Sequence, residues 1–493
     1  YNDEGNDEEL FMNSNTLERN AAVVTELARD WIASQNGRWF CWLHIFDPHD
    51  PYEPPEPYRT QYAADLYSGE VAYVDAQLGR LFEDMEQRGL LDTTVIVVTS
   101  DHGEALGEKG ERTHGFFAYN NTIHIPLFLY YPGVEPVTVT ESVCHADIFP
   151  TISSLVDITV PEHIQGESLL PIAGGAKRQN SRIFFESMAP HNGMDAAPLI
   201  GYIEGDTKFF DLPTKEVYDI SSDYFEENNL AHTAEIPAMV KNMTQLNSRL
   251  KGRGTKQDLK GKNAEILPYL RSLGYVSATP SKKKKYGVGD DPKALHPLIL
   301  QMRKMIGEAQ TGDFDSALKK IQTVLRIRPT YVSAYVSLAK LYYGRNRIEE
   351  AITTLEEGLN RNPGNIILSG DMGIMLFLAK RYTEAIKVLE DCTSRARFNP
   401  EYFNYLGLVH MNLGRFEPAK KAFESAISID SSIGAVYNNL GYLHLMHYVQ
   451  TGNKEELNLS LENFNKGLTF DPDRPSLLKG KAKAISYMNS DGN

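Results

Sequence analysis

From Asn15 to Gln35 apolar residues recur at helical spacing, Gly37 follows as a stop, and an apolar run from Arg38 to Phe46 comes next. This predicts a helix and then a strand. The pattern repeats from Tyr67 to Gly89, with Val71, Val74, Leu78, Leu81 and Phe82 on one face. That helix leads into a strand at Thr93 to Ser100, and a further strand follows at Ile125 to Tyr131. Strands that are apolar throughout are buried on both faces, so the front of the chain is expected to be α/β, with a mainly parallel sheet in a three-layer arrangement. Shorter strand-like runs within Ser181 to Asp223 predict a small antiparallel extension, and residues 236–250 resume a helical period.

The style changes near residue 278. Ser277 to Pro292 has no periodicity, and its prolines, glycines and the run Lys282 to Lys285 read as a solvated linker. Beyond it Ala317, Ala351, Ala385 and Ala419 stand 34 residues apart. This period, with Leu338, Ala339 and Tyr342 in one unit and Leu406, Gly407, Phe416, Phe423 and Ala426 in another, resembles the tetratricopeptide repeat. Pro329 and Pro363 end units; a fifth runs from Gly434 to Pro472 with an insertion, and the last helical stretch reads as a cap. The expected division is an α/β domain over 1–278, a linker over 279–297, and an all-α solenoid of about five units plus a capping helix over 298–493. Such a solenoid offers a concave surface for a protein or peptide partner.

Composition narrows the partners. Fifty basic against 65 acidic residues give a net charge of −15, which argues against nucleic acid or an anionic membrane as the general partner. No apolar run approaches the roughly 20 residues of a membrane span. Cys41, Cys144 and Cys392 match neither a disulfide framework nor a zinc spacing.

Two stretches carry chemistry. Asp101 and His102 leave the carboxyl end of a predicted strand, where a carboxylate and an imidazole can ligate a divalent ion, and Lys109 and His114 in the same loop could hold an anion beside it. A polar surface turn is the alternative for this stretch taken alone. The second, Leu43 to Tyr58, contains Pro48, Pro51, Pro54, Pro55 and Pro57, which hold His44, His49 and Asp50 with little conformational freedom, as suits a proton donor.

Together, "DPHDPYEPPEPY", "YSGEVAYVDAQLGRL", "VVTSDHGEALGE" with "THG", "IPLFLYYPG", "HADIFPTISSLV" with "IQGESLLP", and "LRSLGYVS" resemble the sulfatases of the alkaline phosphatase superfamily, in particular those with a tetratricopeptide tail. The resemblance spans residues 10–278 and implies an alkaline phosphatase-like three-layer sheet. It implies Asp101 and His102 as two ligands of one divalent ion, calcium in the first instance, although the nitrogen ligand also admits manganese, zinc or iron. His49 is similar to the histidine that contacts the ester and protonates the leaving oxygen, and His114 to the basic residue that binds the transferring group, with Lys109 a neighbouring candidate. His191, or Asn192 beside it, is a candidate for touching the alcohol part of the substrate.

The departure from the pattern is large. The paired metal-binding aspartates and the Cys/Ser-x-Pro-Ser-Arg segment that yields formylglycine, the nucleophile, are both absent, so the chain is expected to be the carboxyl-terminal part of a longer protein and inactive as it stands. Cys392 in "CTSRARF" lacks the proline and falls where the repeat wants a helix-packing residue, so it reads as solenoid core. The leading expectation is a sulfuric ester hydrolase, periplasmic or exported. A phosphodiesterase, phosphonate hydrolase or phosphoethanolamine transferase of the same superfamily, and a pseudo-enzyme acting through its repeats, stand as alternatives.

Overall fold

The computed structural model describes residues 19–250, 285–311, 314–396 and 399–490. The acidic opening, the "LRSLGYVS" stretch and most of the lysine run lie outside these residues.

Helix α1 (Ala21–Ala33) is capped by the Asn20 side chain on Val23 N, and packs on α2 (Leu66–Gln87), where the Tyr73 hydroxyl accepts Ala22 N–H at 3.1 Å. The buried face of α2 is Gly69, Glu70, Tyr73, Gln77, Leu81 and Met85, whereas Val71, expected inward, is 43% exposed. Apolar residues occur on more than one side of this helix. The neighbours decide which side is covered: a β-carbon at Gly69 would meet Pro54 and Tyr62 at 3.0 Å, so the proline-rich loop presses on that face.

Strand β1 (Ile96–Thr99) pairs with β2 (Leu127–Tyr130), and the pairing is antiparallel, Ile96 opposite Tyr130 and Thr99 opposite Leu127. This corrects the expected parallel arrangement. A parallel pair needs a full crossover, usually a helix, while the connection here holds loops and two short helical turns, Glu108–Gly110 and Asn120–Ile123, that bring the chain straight back. Residues 38–46, expected as a strand, have no regular secondary structure and join no ladder among the described residues, and Phe40 and Trp42 are exposed.

The expected antiparallel extension is a four-stranded meander, β3 (Arg182–Ser187), β4 (Leu199–Glu204), β5 (Thr207–Phe210) and β6 (Glu216–Asp219) in that order. Alternation along these strands gives two apolar faces. Phe185, Leu199, Phe210 and Tyr218 pack against Phe117 and Tyr119, while Tyr202, Phe209 and Val217 pack against Met243 and Leu246 of a long helix, Ile236–Leu250.

The solenoid pairs its helices in sequence. Counting helices of eight residues or more, α3 is Ile148–Leu155, α4 is Ile236–Leu250, and the stack begins with α5 (Pro292–Thr311) and α6 (Phe314–Ile327). Then come α7 (Val332–Tyr343), α8 (Ile348–Arg361), α9 (Ile366–Leu378), α10 (Tyr382–Arg395), α11 (Pro400–Asn412), α12 (Phe416–Ile429), α13 (Gly434–Thr451), α14 (Lys454–Phe470) and α15 (Pro475–Ser490). Ala317, Ala351, Ala385 and Ala419 are fully buried, and a β-carbon at Gly407 would meet the Phe423 ring at 2.5 Å, which shows how closely paired helices approach. Cys392 is buried in the same core, and burial pushes its thiol up to about 12, as its place in the repeat implies.

Helix α5 starts at Pro292, inside the stretch read as linker. Its first turn is docked on the front region: Asp291 accepts Thr214 N–H at 2.9 Å and Lys293 N–H at 3.0 Å, and Lys293 pairs with Glu216. Met194 and Ala196 of the front region belong to the same buried cluster as Leu295, Met302 and the solenoid core.

Candidate active site

The loop after β1 is tightly built. Gly103 donates to Thr122 O at 2.8 Å, and a β-carbon there would come within 2.3 Å of Asn121 O, so this crossing requires glycine. Ala105 donates to Thr113 O and Gly107 to Glu111 O, both at 2.8 Å, folding the segment back on itself. The buried Glu111 carboxylate then takes the N–H groups of Phe116 at 2.6 Å and Phe117 at 3.1 Å.

That fold brings three imidazoles together. His102 stacks on His114 with centroids 3.9 Å apart, and His49, from the proline-rich loop, stands edge-on to His114 at 5.6 Å. The Arg112–Asp50 ion pair, 2.5 Å, joins the two loops. Below His49, the buried Glu70 carboxylate of α2 accepts His49 N–H at 3.0 Å and Glu53 N–H at 2.6 Å, and burial raises its pKa despite these bonds.

Each ring is oriented by a partner. His49 Nδ1 lies 2.8 Å from Asp50 O and His102 Nδ1 lies 3.0 Å from Gly103 O; a carbonyl only accepts, so both carry their proton on Nδ1 when neutral, leaving Nε2 open. His114 Nδ1 faces the buried Glu104 carboxylate at 3.3 Å. Burial and the neighbouring His102 hold the His114 pKa below its ordinary value, more than Glu104 lifts it.

His102 Nε2 lies 3.5 Å from Asp101 Oδ2. Two lone-pair donors face each other there, and the separation suits adjacent ligands of one cation, since oxygen ligands about 2.4 Å from calcium stand about 3.4 Å apart at right angles. The fit is partial: among the described residues no group of three or more His, Cys, Asp or Glu side chains is arranged to hold a metal ion.

Lys109 is not brought to the histidines. Its ammonium donates to Glu226 O at 2.5 Å and lies over the Tyr119 ring. His191 is placed at the solenoid joint, its Nδ1 2.8 Å from Ala196 O and its ring edge-on to Tyr286. A cavity of about 220 Å³ opens on His49, lined also by Arg19, Phe46, Asp47, Glu53 and Glu70.

Support for the site reaches further back. His145 Nε2 bonds Ser100 O at 2.8 Å, at the root of the His102 loop. The following Asp147 is fully buried and accepts five bonds: Arg178 Nη1 at 2.5 Å and Nη2 at 2.9 Å, Cys144 N at 2.9 Å, Glu167 N at 3.0 Å and the Cys144 thiol at 3.4 Å. Burial alone would raise its pKa, but Arg178 and the two N–H groups outweigh that and hold it below the usual carboxylate range.

A mixed α/β region carrying this histidine site, followed by a helical repeat stack, is the class that the fold defines. Residues 2–158 match the family model described as Sulfatase, and residues 110–253 match the carboxyl-terminal model of N-sulphoglucosamine sulphohydrolase. Residues 308–370 and 400–433 match tetratricopeptide repeat models. The chain therefore carries a sulfatase-family region followed by tetratricopeptide repeats. It is similar to the choline-sulfatase of Rhizobium meliloti (strain 1021), 29% identical over 176 residues that cover 35% of this chain and 33% of that protein. Arylsulfatase K of Xenopus laevis is 27% identical over 223 residues, 41% of this chain and 40% of that one. Among solved structures, the phosphonate monoester hydrolase of Agrobacterium radiobacter aligns with a TM-score of 0.40 at 22% identity, covering 46% of this chain and 60% of that one. The chain spans about a third to two fifths of the length of these two sulfatases.

Proposed function

We propose that this region belongs to a metal-dependent sulfuric ester hydrolase whose repeats engage a protein or peptide partner. The observation that carries the reading is the convergence of His49, His102 and His114 from two loops, each ring oriented by its own acceptor. The matched sulfatase sequence supports it.

Asp101 and His102 would hold one divalent cation, calcium, as two of its ligands, and the cation would supply charge against the non-bridging oxygens of the ester; the other ligands and the nucleophile, a formylglycine, would come from outside the described residues. His114 faces the transferring group, held in place by Glu104. His49, fixed through Nδ1 by Asp50 O and through its backbone by Glu70, presents Nε2 to the leaving oxygen as the proton donor. The cavity beside His49 takes the alcohol part.

The test uses the intact protein with 4-nitrophenyl sulfate, the corresponding phosphate diester and a phosphonate monoester, beside Asp101→Ala. Sulfate ester turnover, with activity and bound calcium both lost in the variant, is expected. Preference for either phosphorus ester refutes the sulfatase reading, and stoichiometric calcium retained by Asp101→Ala refutes the ligand assignment.

A further inference from the structure

We infer that His296, near the start of the first solenoid helix, is a positioning residue for the His102–His114 pair, fixing the loop that carries them from the solenoid side. This role rests on the proposed function only for its catalytic consequence; the packing itself does not depend on it.

His296 is 8% exposed and lies against two consecutive rings of that loop, Phe116 and Phe117, with centroids 5.0 Å away in both cases. Its Cε1 would stand 3.2 Å from a β-carbon at Gly110, a residue at φ +77°, so the imidazole also closes on the turn at the far end of the loop. The contacts flank His114 in sequence on both sides. Glu111, between them, ties the backbone N–H groups of Phe116 and Phe117 to the turn, and Ser187 Oγ donates to Gly115 O at 2.8 Å. A displacement of His296 therefore reaches His114 through two residues of well-bonded backbone.

The helix start that carries His296 is held from both the front region and the solenoid. Asp291 and Lys293 anchor the helix start to Thr214 and Glu216, and the Tyr119 hydroxyl donates to the same Glu216 carboxylate at 3.1 Å. Arg328 bonds Asp290 Oδ1 at 2.9 Å and Gly289 O at 2.8 Å, and Ala197 N–H donates to Asp290 O at 2.8 Å. Phe116 packs against both the solenoid core and the sheet core. Removing the ring of His296 would leave a hole at the meeting point of the two.

Amide hydrogen exchange on the whole 493-residue chain tests this directly. In His296→Ala, peptides within residues 103–117 are expected to exchange at least about tenfold faster, an opening easier by roughly 1.4 kcal/mol, while those from Val332–Leu378 keep their protection. His296→Phe, which keeps a flat ring in place, is expected to restore the parent rate. Unchanged exchange in His296→Ala would overturn the inference, as would equal loosening in His296→Phe. Lys293→Met distinguishes positioning from detachment: it removes the Glu216 contact without touching the loop, and loosening of 103–117 as large as that in His296→Ala would also overturn it. In the intact enzyme, kcat should fall at little-changed KM in His296→Ala and recover in His296→Phe. Absence of sulfate ester turnover in the parent would count against the functional reading and leave the exchange result standing.

Discussion

Arg178→Met isolates the value of the buried carboxylate that supports the root of the His102 loop. In the parent, Asp147 keeps its charge without contact with water because a guanidinium and two backbone N–H groups face it. The variant retains the two N–H groups and a side chain of similar length, but not the positive charge. Asp147 must then stay charged and poorly compensated or take up a proton. At pH 7 holding that proton costs about 4 kcal/mol, from an ordinary value of 3.8. This caps the penalty of the uncompensated charge, in keeping with the roughly 3–5 kcal/mol seen when one partner of a buried pair is removed.

The pH dependence follows with a definite sign. The cap shrinks to about 2 kcal/mol at pH 5, because the proton is then easier to hold. The parent moves the other way: its depressed Asp147 contributes stability above the ordinary carboxylate pKa and loses it as the pH falls through the lower folded value. The gap between the two proteins should therefore narrow in acid. Urea unfolding followed by tryptophan fluorescence reads the relevant part of the molecule, since Trp31, Trp39 and Trp42 are the only tryptophans and all lie in the front region. A loss below about 1 kcal/mol at pH 7, or one that does not change between pH 7 and 5, would refute the reasoning.

Two further outcomes are expected. Asp371 on α9, half-buried near Lys340 and Glu401, has its carboxyl pushed up to about 7 by loss of solvation first and Glu401 second, against Lys340. Its native state therefore binds the proton more tightly, and the parent's stability declines as the pH rises from 3.8 to about 7; Asp371→Asn should raise the melting temperature of the helices at pH 8, by up to about 4 kcal/mol in stability, and leave it unchanged near pH 4. Equal melting shifts at both pH values, read by circular dichroism, would show that the carboxylate is not strained. In the intact protein, His49→Ala should slow esters with poor leaving groups by about 10²–10⁴-fold and activated esters much less; equal losses would assign His49 to binding instead.

The solenoid was legible because each unit is closed by neighbours in sequence. A fixed spacing of small residues suffices to place them, and all four alanines at that spacing are buried. The sheet was less so, since an apolar run reports burial and not the direction of its partner. Strand direction here depends on what lies between Ser100 and Pro126, a property of loops. The four charged or imidazole side chains of the site stood out through their motifs, but the groups that aim them did not. Glu70 meets His49 from a helix, and Arg112 meets Asp50 across 62 positions, pairings that composition does not announce. Lys109 shows the converse. It is near His114 in sequence, yet its φ of +55° and the Glu226 carbonyl lead it to the sheet.

Phe116 belongs to two cores at once, and this limits how the chain can change. A substitution at His296 alters the room available to a ring that also packs against the strands. The two regions are therefore expected to drift together rather than as separable modules. Exchanging the repeats for those of a relative should succeed when the first turn of α5 and residues 190–197 travel with them, and a boundary drawn through the lysine-rich stretch alone would split one hydrophobic contact between two parents.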